Sequence, residues 1–276
     1  MTTEATIDTG TNELLCVIRD RVAVITLNRP EARNSLSDTL TPALRTMIRA
    51  CGENPDVGAL LITGAGEAFC AGGNVKGMGA HRDPKKLEMS FDDKVTDLQE
   101  RQRQLTGALV AVRKPTIAAL PGAAAGAGLA IAMACDIRIA AQSAFVTTGY
   151  ARVALSGDYG IAWLLTRLVG TSRARELMFT GDRVDAARAE TIGLVNRVVP
   201  DDKLQTEAFA LAKSLAEGPR LALRYMKDNL DEALLFDFET ARDHEAERLI
   251  RLTTTADHKE AVQAFIEKRK AVFTGK

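Results

Sequence analysis

The feature that most constrains the fold is an uncharged stretch from Pro115 to Cys135, rich in alanine and glycine. Its length of roughly 20 residues would suit a transmembrane helix. However, Pro121 and Gly122 interrupt it, and small residues outnumber the leucine, isoleucine and phenylalanine typical of membrane spans. We therefore predict a buried strand over Thr116–Leu120, a turn, and a buried helix over Leu129–Ala134.

Short apolar runs alternate with helical patterns in the rest of the chain, which predicts a mixed α/β fold. A hairpin is expected over residues 16–30, and Ser37 is suited to cap the helix that follows. A further helix is expected over about 97–112, after a polar and mobile segment at 77–96. We predict three regions: a flexible N-terminal tail (1–13), an α/β core (14–201) and a helical, charged C-terminal region (202–276).

The composition argues against several classes of partner. Lys+Arg and Asp+Glu are equal at 36 each, so no net field attracts nucleic acid or an anionic membrane. The four cysteines and three histidines show neither a disulfide framework nor metal-binding spacing. The N-terminus lacks the basic start and apolar run of a signal peptide. We expect a cytoplasmic protein with no metal, no membrane partner and no nucleic-acid partner.

Two segments carry the features of a binding site, namely Ala68–Lys76 and Pro121–Leu129. Each follows an apolar strand and is rich in glycine and alanine where the chain must turn, so a ligand can approach the backbone closely. The second also opens a helix, whose first N–H groups lack internal partners. Two such donors converging on one oxygen would form an oxyanion hole. Each segment alone is also compatible with a tight turn, and Phe69 interrupts a dinucleotide-binding pattern that starts at Gly64.

These segments resemble the crotonase (enoyl-CoA hydratase/isomerase) family. AFCAGGNVKGM (68–78) and KPTIAALPGAAAGAGLAIAMACDIRIAA (114–141) are similar to two successive family motifs. Further similar stretches lie at 144–170, 174–200 and 264–273, so the resemblance covers about residues 14–273. It implies a spiral core of ββα repeats over 14–201 and a helical region that packs subunits into a trimer or a dimer of trimers.

The resemblance also implies roles for individual residues. The backbone N–H groups of Gly73 and Ala127 would bind the thioester carbonyl oxygen of an acyl-coenzyme A (acyl-CoA), although Ala127 stands where the family usually has glycine. The residues implied in coenzyme A binding are Arg33, Ala71, Asn74, Val75 and Lys76, with Phe265 and Lys268 reaching the coenzyme A of a neighbouring subunit. No other cofactor is implied.

The departures from the family pattern bear on the reaction. Hydratases of this family use two glutamates, and here Ala130 and Tyr150 stand at those positions. One carboxylate remains nearby, at Asp158, where relatives use an aspartate either to move a proton or to attack carbon as a nucleophile. Asp158 could instead cap the following helix. Tyr150 could orient a group or form an aromatic wall.

Other side chains near the motifs are less favoured for chemistry. His81 is expected at the surface, Cys70 is expected to pack in the core, and Arg103 is expected on a solvated helix face. We expect isomerisation of an enoyl- or dienoyl-CoA with Asp158 as acid and base. The alternatives are hydration, nucleophilic attack by Asp158, and non-catalytic binding of acyl-CoA.

Overall fold

The described part of the chain forms two β-sheets that are covered by helices. The computed structural model describes residues 4–73 and 89–276. The strands in these residues are β1 (Glu4–Ile7), β2 (Leu14–Arg19), β3 (Val22–Leu27), β4 (Ala59–Gly64), β5 (Ala68–Cys70), β6 (Thr116–Leu120), β7 (Ala123–Ala125), β8 (Ile137–Ala141), β9 (Phe145–Thr147), β10 (Val184–Asp185) and β11 (Arg197–Val199).

The helices of the described residues are α1 (Leu40–Glu53), α2 (Phe91–Gln102), α3 (Ala108–Ala111), α4 (Ala127–Ala134), α5 (Ile161–Val169), α6 (Thr171–Thr180), α7 (Ala186–Thr191), α8 (Leu204–Ala216), α9 (Arg220–Glu232), α10 (Phe238–Thr253) and α11 (Ala256–Glu267). A π-helical turn, Arg103–Gly107, joins α2 to α3. None of the described helices combines the length and apolar character needed to cross a bilayer.

The strands follow a repeating ββα path. Among the described residues, the larger sheet has the order β1-β2-β3-β4-β6-β8-β11 and the smaller one has the order β10-β9-β7-β5. Each of β4, β6 and β8 enters the larger sheet, and the next strand along the chain enters the smaller sheet before a helix returns. The predicted α/β class and the ββα spiral are therefore confirmed.

The larger sheet forms the core because its central strands are apolar throughout. All residues of β4 and β6 are buried, as expected for parallel strands covered on both faces. Helix α8 packs against β4 and β6. The uncharged stretch at 115–135 contains the predicted strand (β6) and the predicted buried helix (α4), together with a short strand, β7, that was not predicted.

The predicted hairpin is formed by β2 and β3, which pair antiparallel. Its turn residues, Asp20 and Arg21, both have positive φ (48° and 64°), the conformation that matches the twist of two-residue hairpins. Ser37 acts as predicted at the start of α1, because its Oγ accepts the Leu40 N–H at 2.8 Å.

The structure differs from the sequence prediction in three places. Residues Glu4–Ile7, placed in the flexible tail, form an edge strand paired with β2. The helix expected from about 97 begins at Phe91, where the Ser90 side chain caps it. Helix α4 begins at Ala127, two residues before the expected start, because the positive φ of Gly126 (51°) ends the preceding strand. The boundaries at 13/14 and 201/202 stay predictions.

The C-terminal helices leave many large apolar side chains exposed. The exposed positions from α9 to α11 are Met226, Leu230, Leu234, Leu235, Phe236, Phe238, Leu249, Ile250, Val262, Phe265 and Ile266. Large apolar side chains exposed in such number on neighbouring helices are typical of a protein–protein contact.

Helix α4 packs on β5 only because Gly128 has no side chain. A Cβ at Gly128 would lie 2.2 Å from the carbonyl oxygen of Cys70. We expect Gly128→Ala to lower the free energy of unfolding by about 1–3 kcal/mol, as for other overpacked cores. Denaturant unfolding would measure the change. Gly107→Ala is the matched control, because its Cβ would meet only ordinary contacts at 3.5 Å or more. Equal stabilities of the two variants would contradict the packing argument.

Candidate active site

The site lies at one edge of the smaller sheet. Strands β5, β7 and β9 are neighbours and run parallel, so their carboxyl ends meet at the same edge, where ligands bind in open α/β sheets. The segments that follow these ends are 71–73, 126–127 and 148–150. The topology therefore brings together Gly73, Ala127 and Tyr150, which the sequence places far apart.

The first two segments are in direct contact. Gly72 has a φ of +87°, and a Cβ there would lie 2.6 Å from the carbonyl oxygen of Ala125 and 3.5 Å from the nitrogen of Ala127. On its other side, Gly72 accepts the Leu36 N–H at 2.8 Å. Gly73 is thereby held next to the start of α4, as two converging donors require.

The N–H groups of the two predicted donors are not used in backbone hydrogen bonds of the described residues. Within the described residues, neither Gly73 N–H nor Ala127 N–H has a backbone acceptor. Ala127 is the first residue of α4, where N–H groups lack intrahelical partners and the helix dipole favours negative charge. Ala127 is helical and does not have a positive φ, so a side chain at this position causes no backbone strain. The glycine usual in the family is not needed for this conformation.

Tyr150 and Asp158 form a hydrogen-bonded pair beside these donors. The Tyr150 hydroxyl donates to Oδ1 of Asp158. The same hydroxyl lies 3.8 Å from the position that a Cβ on Gly126 would occupy. Since Gly126 immediately precedes Ala127, the carboxylate–phenol pair stands at the N-terminus of α4.

Burial shapes the charge of this pair. Desolvation raises the pKa of Asp158, and the hydrogen bond from Tyr150 opposes that rise. Burial, followed by the Asp158 charge, raises the pKa of Tyr150 far above its ordinary value. Tyr150 therefore remains a protonated donor, while Asp158 has an increased affinity for a proton.

Asp158 does not cap the following helix with its side chain. The residue before α5 is Gly160, and no side chain caps this helix. Asp158 contributes only its backbone oxygen, which accepts the Ile161 N–H at 3.1 Å. The next residue, Tyr159, is buried and has a φ of +51°, which is uncommon outside glycine and typical of functional sites. The sequence does not predict this conformation, because no local signal indicates a left-handed tyrosine.

The two positions that the resemblance assigns to the hydratase glutamates carry no carboxylate. Ala130 lies in the first turn of α4 and is completely buried. Tyr150 occupies the second position and bonds to Asp158 instead. Cys70, as predicted, is a buried packing residue, and burial raises its pKa to about 12. Arg103 is exposed, as expected, and pairs with Glu100 at 3.5 Å.

The predicted nucleotide-binding residues are only partly described. Ala71 N–H donates to the carbonyl oxygen of Arg33 at 2.9 Å, so these two residues are adjacent, and the Arg33 side chain is exposed. Asn74, Val75, Lys76 and His81 lie outside the described residues. Phe265 and Lys268 are exposed at the end of α11, which packs on α10. The single chain leaves both open to contact with another molecule.

Asn34 is a structural residue of the site that sequence reasoning missed. It is fully buried with a φ of +55°. Its side chain accepts the Arg29 N–H at 2.7 Å and donates to the carbonyl oxygens of Ala65 (2.9 Å) and Ala68 (2.7 Å). These bonds fasten the Arg33 loop to β5. An asparagine a few residues after Pro30 was the available signal, because asparagine tolerates this conformation.

The raised pKa of Asp158 predicts a pH-dependent cost to folding. A carboxyl group whose folded-state pKa lies above its unfolded value destabilises the fold as pH rises through the folded value. We expect Asp158→Asn to stabilise the protein by about 1 kcal/mol at pH 7–8, with the gain vanishing below about pH 4, where the unfolded carboxyl is also protonated.

Thermal or denaturant unfolding from pH 3.5 to 8 would measure this difference. Asp182→Asn makes the same charge change at an exposed carboxylate that pairs with Arg152 and should show no such gain. A pH-independent effect of Asp158→Asn, or a loss of stability at neutral pH, would contradict the assignment of a desolvated carboxylate.

Comparison with known proteins identifies the family of the chain. Residues 18–276 match the family model described as Enoyl-CoA hydratase/isomerase. The chain is 37% identical over 265 residues to a probable enoyl-CoA hydratase of Mycobacterium tuberculosis, covering 96% of this chain and 99% of that protein. It is 35% identical over 268 residues to the 1,2-epoxyphenylacetyl-CoA isomerase of Escherichia coli, covering 95% and 98%.

The fold agrees as well. A crystal structure of a putative enoyl-CoA hydratase from Streptomyces coelicolor superposes with a TM-score of 0.88 at 35% identity, covering 96% of this chain and 94% of that one. The motifs, the spiral of ββα repeats and these similarities lead to one conclusion: the chain belongs to the enoyl-CoA hydratase/isomerase family.

Proposed function

We propose that this enzyme moves a double bond in an enoyl- or dienoyl-CoA, with Asp158 as the acid and base. The observation that carries the proposal is the Tyr150–Asp158 pair beside the N-terminus of α4. A single carboxylate can remove a proton from one carbon and return it to another without activating water.

The proposed reaction starts with the thioester oxygen hydrogen-bonded to Gly73 N–H and Ala127 N–H. Asp158 takes a proton from carbon 2 of a 3-enoyl-CoA, and the electron pair moves into the thioester to give a dienolate. The two donors stabilise the developing negative charge on oxygen. The Asp158 carboxylic acid then protonates carbon 4, which leaves the double bond between carbons 2 and 3 and regenerates the carboxylate.

Tyr150 has a supporting role in this proposal. Its hydroxyl remains protonated because burial raises its pKa, so it donates to Asp158 throughout the cycle. That hydrogen bond stabilises the carboxylate and limits the rise in its pKa. It also fixes one carboxylate oxygen, which leaves the other to face the substrate.

Hydration of a 2-enoyl-CoA is the second candidate, because the relative from M. tuberculosis bears the name of a hydratase. Asp158 and Tyr150 would then position the water. The proposal of isomerisation is preferred because two-glutamate hydratases need a second carboxylate, and Ala130 provides none. The name of the E. coli relative shows that isomerases also occur at this level of similarity.

Substrate binding and assembly follow the family pattern in this proposal. Coenzyme A is part of the thioester substrate, held by Arg33, Ala71, Asn74, Val75 and Lys76, and no separate cofactor is required. Phe265 and Lys268 would contact the coenzyme A bound to a neighbouring subunit of a homotrimer or dimer of trimers. The exposed apolar residues of α9–α11 support such an assembly. We place the enzyme in the cytoplasm.

Replacement of Asp158 tests the proposed reaction. We expect Asp158→Asn to reduce isomerisation of a 3-enoyl-CoA by about 100-fold to 10,000-fold, the usual contribution of a general base. Mass spectrometry in heavy water would follow the positional shift and the deuterium uptake. Asp182→Asn, at an exposed carboxylate, should remain fully active.

The products distinguish the alternatives. Gain of one water on a 2-enoyl-CoA would favour hydration, and a covalent adduct at Asp158 would favour nucleophilic attack. Binding of acyl-CoA without turnover or exchange at carbon 2 would indicate a non-catalytic protein. Wild-type isomerisation by Asp158→Asn would contradict the proposed role.

Replacement of Ala127 tests the oxyanion donor separately. Proline is tolerated at the first residue of a helix and lacks the N–H group. We expect Ala127→Pro to lower kcat by about 100-fold to 1,000-fold, whereas Ala127→Gly keeps the donor and most of the activity. Circular dichroism and unfolding curves would establish that both variants fold. Equal kcat values for the two folded variants would contradict the assignment of this donor.

A further inference from the structure

Two cysteines outside the active site lie close together in the core. Cys16 is in β2 and Cys51 is near the C-terminal end of α1. Their sulfur atoms are 3.8 Å apart, although 35 residues separate them in sequence. Both side chains are buried, with exposed fractions of 1% and 3%.

The surrounding structure holds the two sulfurs at this distance. Cys16 pairs with Ile25 in the middle of the β2–β3 ladder. The end of α1 is fastened by Lys114, whose Nζ donates to the carbonyl oxygens of Cys51 at 3.0 Å and Asn54 at 2.5 Å. The short distance between the two sulfurs is therefore set by the packing of α1 on the sheet.

The local charges distinguish the two thiols. The two sulfurs share a hydrogen bond in which either can be the donor. Burial disfavours the thiolate form of both cysteines, whereas the positive charge of Lys114 favours that of Cys51. Cys51 is thus the thiol that more readily becomes the nucleophilic thiolate.

The other two cysteines provide an internal comparison. Burial raises the pKa of Cys70 and of Cys135 to about 12 each. Cys135 has its S–H directed at the carbonyl oxygen of Ile131 at 3.6 Å. Among the described residues neither has a cysteine partner, and all four cysteines are free thiols.

We propose that Cys16 and Cys51 form an oxidisable dithiol that closes to a disulfide between β2 and α1 when the enzyme meets hydrogen peroxide. The Cys51 thiolate attacks one peroxide oxygen to give a sulfenic acid and hydroxide. The Cys16 sulfur then displaces water from the sulfenic acid as its own proton leaves, which forms the S–S bond. In total, two thiols and one peroxide give one disulfide and two waters.

Formation of the disulfide requires only a small movement of the two sulfur atoms, and it would stabilise the fold. A disulfide has an S–S distance of about 2.05 Å, so the sulfurs must approach by less than about 2 Å. The bond would close a loop of 35 residues and restrict the unfolded chain. Because small molecules reach such buried sulfurs only when α1 moves locally, we expect oxidation to be slow.

Peptide mapping tests the proposal without any substrate, so its outcome is independent of the proposed reaction. The intact folded protein would be treated with hydrogen peroxide, its remaining thiols alkylated after unfolding, and its peptides analysed by mass spectrometry without reduction. We expect one linked pair containing Cys16 and Cys51, with Cys70 and Cys135 still alkylated. The melting temperature should rise by at least about 5 °C, as for other disulfides that close long loops, and dithiothreitol should reverse both changes.

The matched variants are Cys16→Ser and Cys51→Ser. Each should lose the linked pair and the rise in melting temperature under peroxide. Folding of the variants would be checked by their melting curves before treatment. Four fully alkylated cysteines after prolonged peroxide treatment, or oxidation of Cys51 to the sulfinic acid with Cys16 still free, would overturn the proposal.

Discussion

The close approach of backbone segments at the edge of the smaller sheet is the constraint on which the rest of the site depends. The carbonyl oxygen of Ala125 occupies the space that a Cβ on Gly72 would need, and the carbonyl oxygen of Cys70 does the same for Gly128. Without side chains at these positions, the segment after β5 packs directly against the start of α4, where the proposed donors Gly73 and Ala127 lie. Both proposed donors belong to the backbone, so their placement is set by packing rather than by rotamers.

The position of the Asp158 carboxylate lowers the stability of the fold. Asp158 lies in a partly buried position that raises its pKa, and its only described side-chain hydrogen bond is from Tyr150. A buried Tyr159 with positive φ follows it. A strained backbone conformation and a desolvated carboxylate both lower stability, and both are typical of functional sites. The packed core of β4, β6 and α4 offsets this loss of stability.

Much of this could be predicted from the chain, for physical reasons specific to each element. The uncharged small residues between Pro115 and Cys135 leave few alternatives to a buried strand, turn and helix. The hairpin is predictable because strand-forming residues flank the turn at Asp20 and Arg21. Arg33 and Ala71 were grouped by resemblance and are adjacent in space. By contrast, β1 is stabilised mainly by pairing with β2, which a polar sequence does not reveal. The role of Asn34 depends on contacts with a distant segment, and the left-handed conformation of Tyr159 has no local signal. The Tyr150–Asp158 bond depends on how β9 leads into α5.

The central claim is that one carboxylate moves a proton between two carbons of the acyl chain. The most direct measurement uses 3-enoyl-CoA carrying deuterium at carbon 2, converted in ordinary water, with the position of the label determined by mass spectrometry and NMR. The account predicts that part of the product carries the label at carbon 4, because the proton removed by Asp158 is returned before it fully exchanges with solvent. A product that has gained water, or one formed at an undiminished rate by Asp158→Asn, would contradict it.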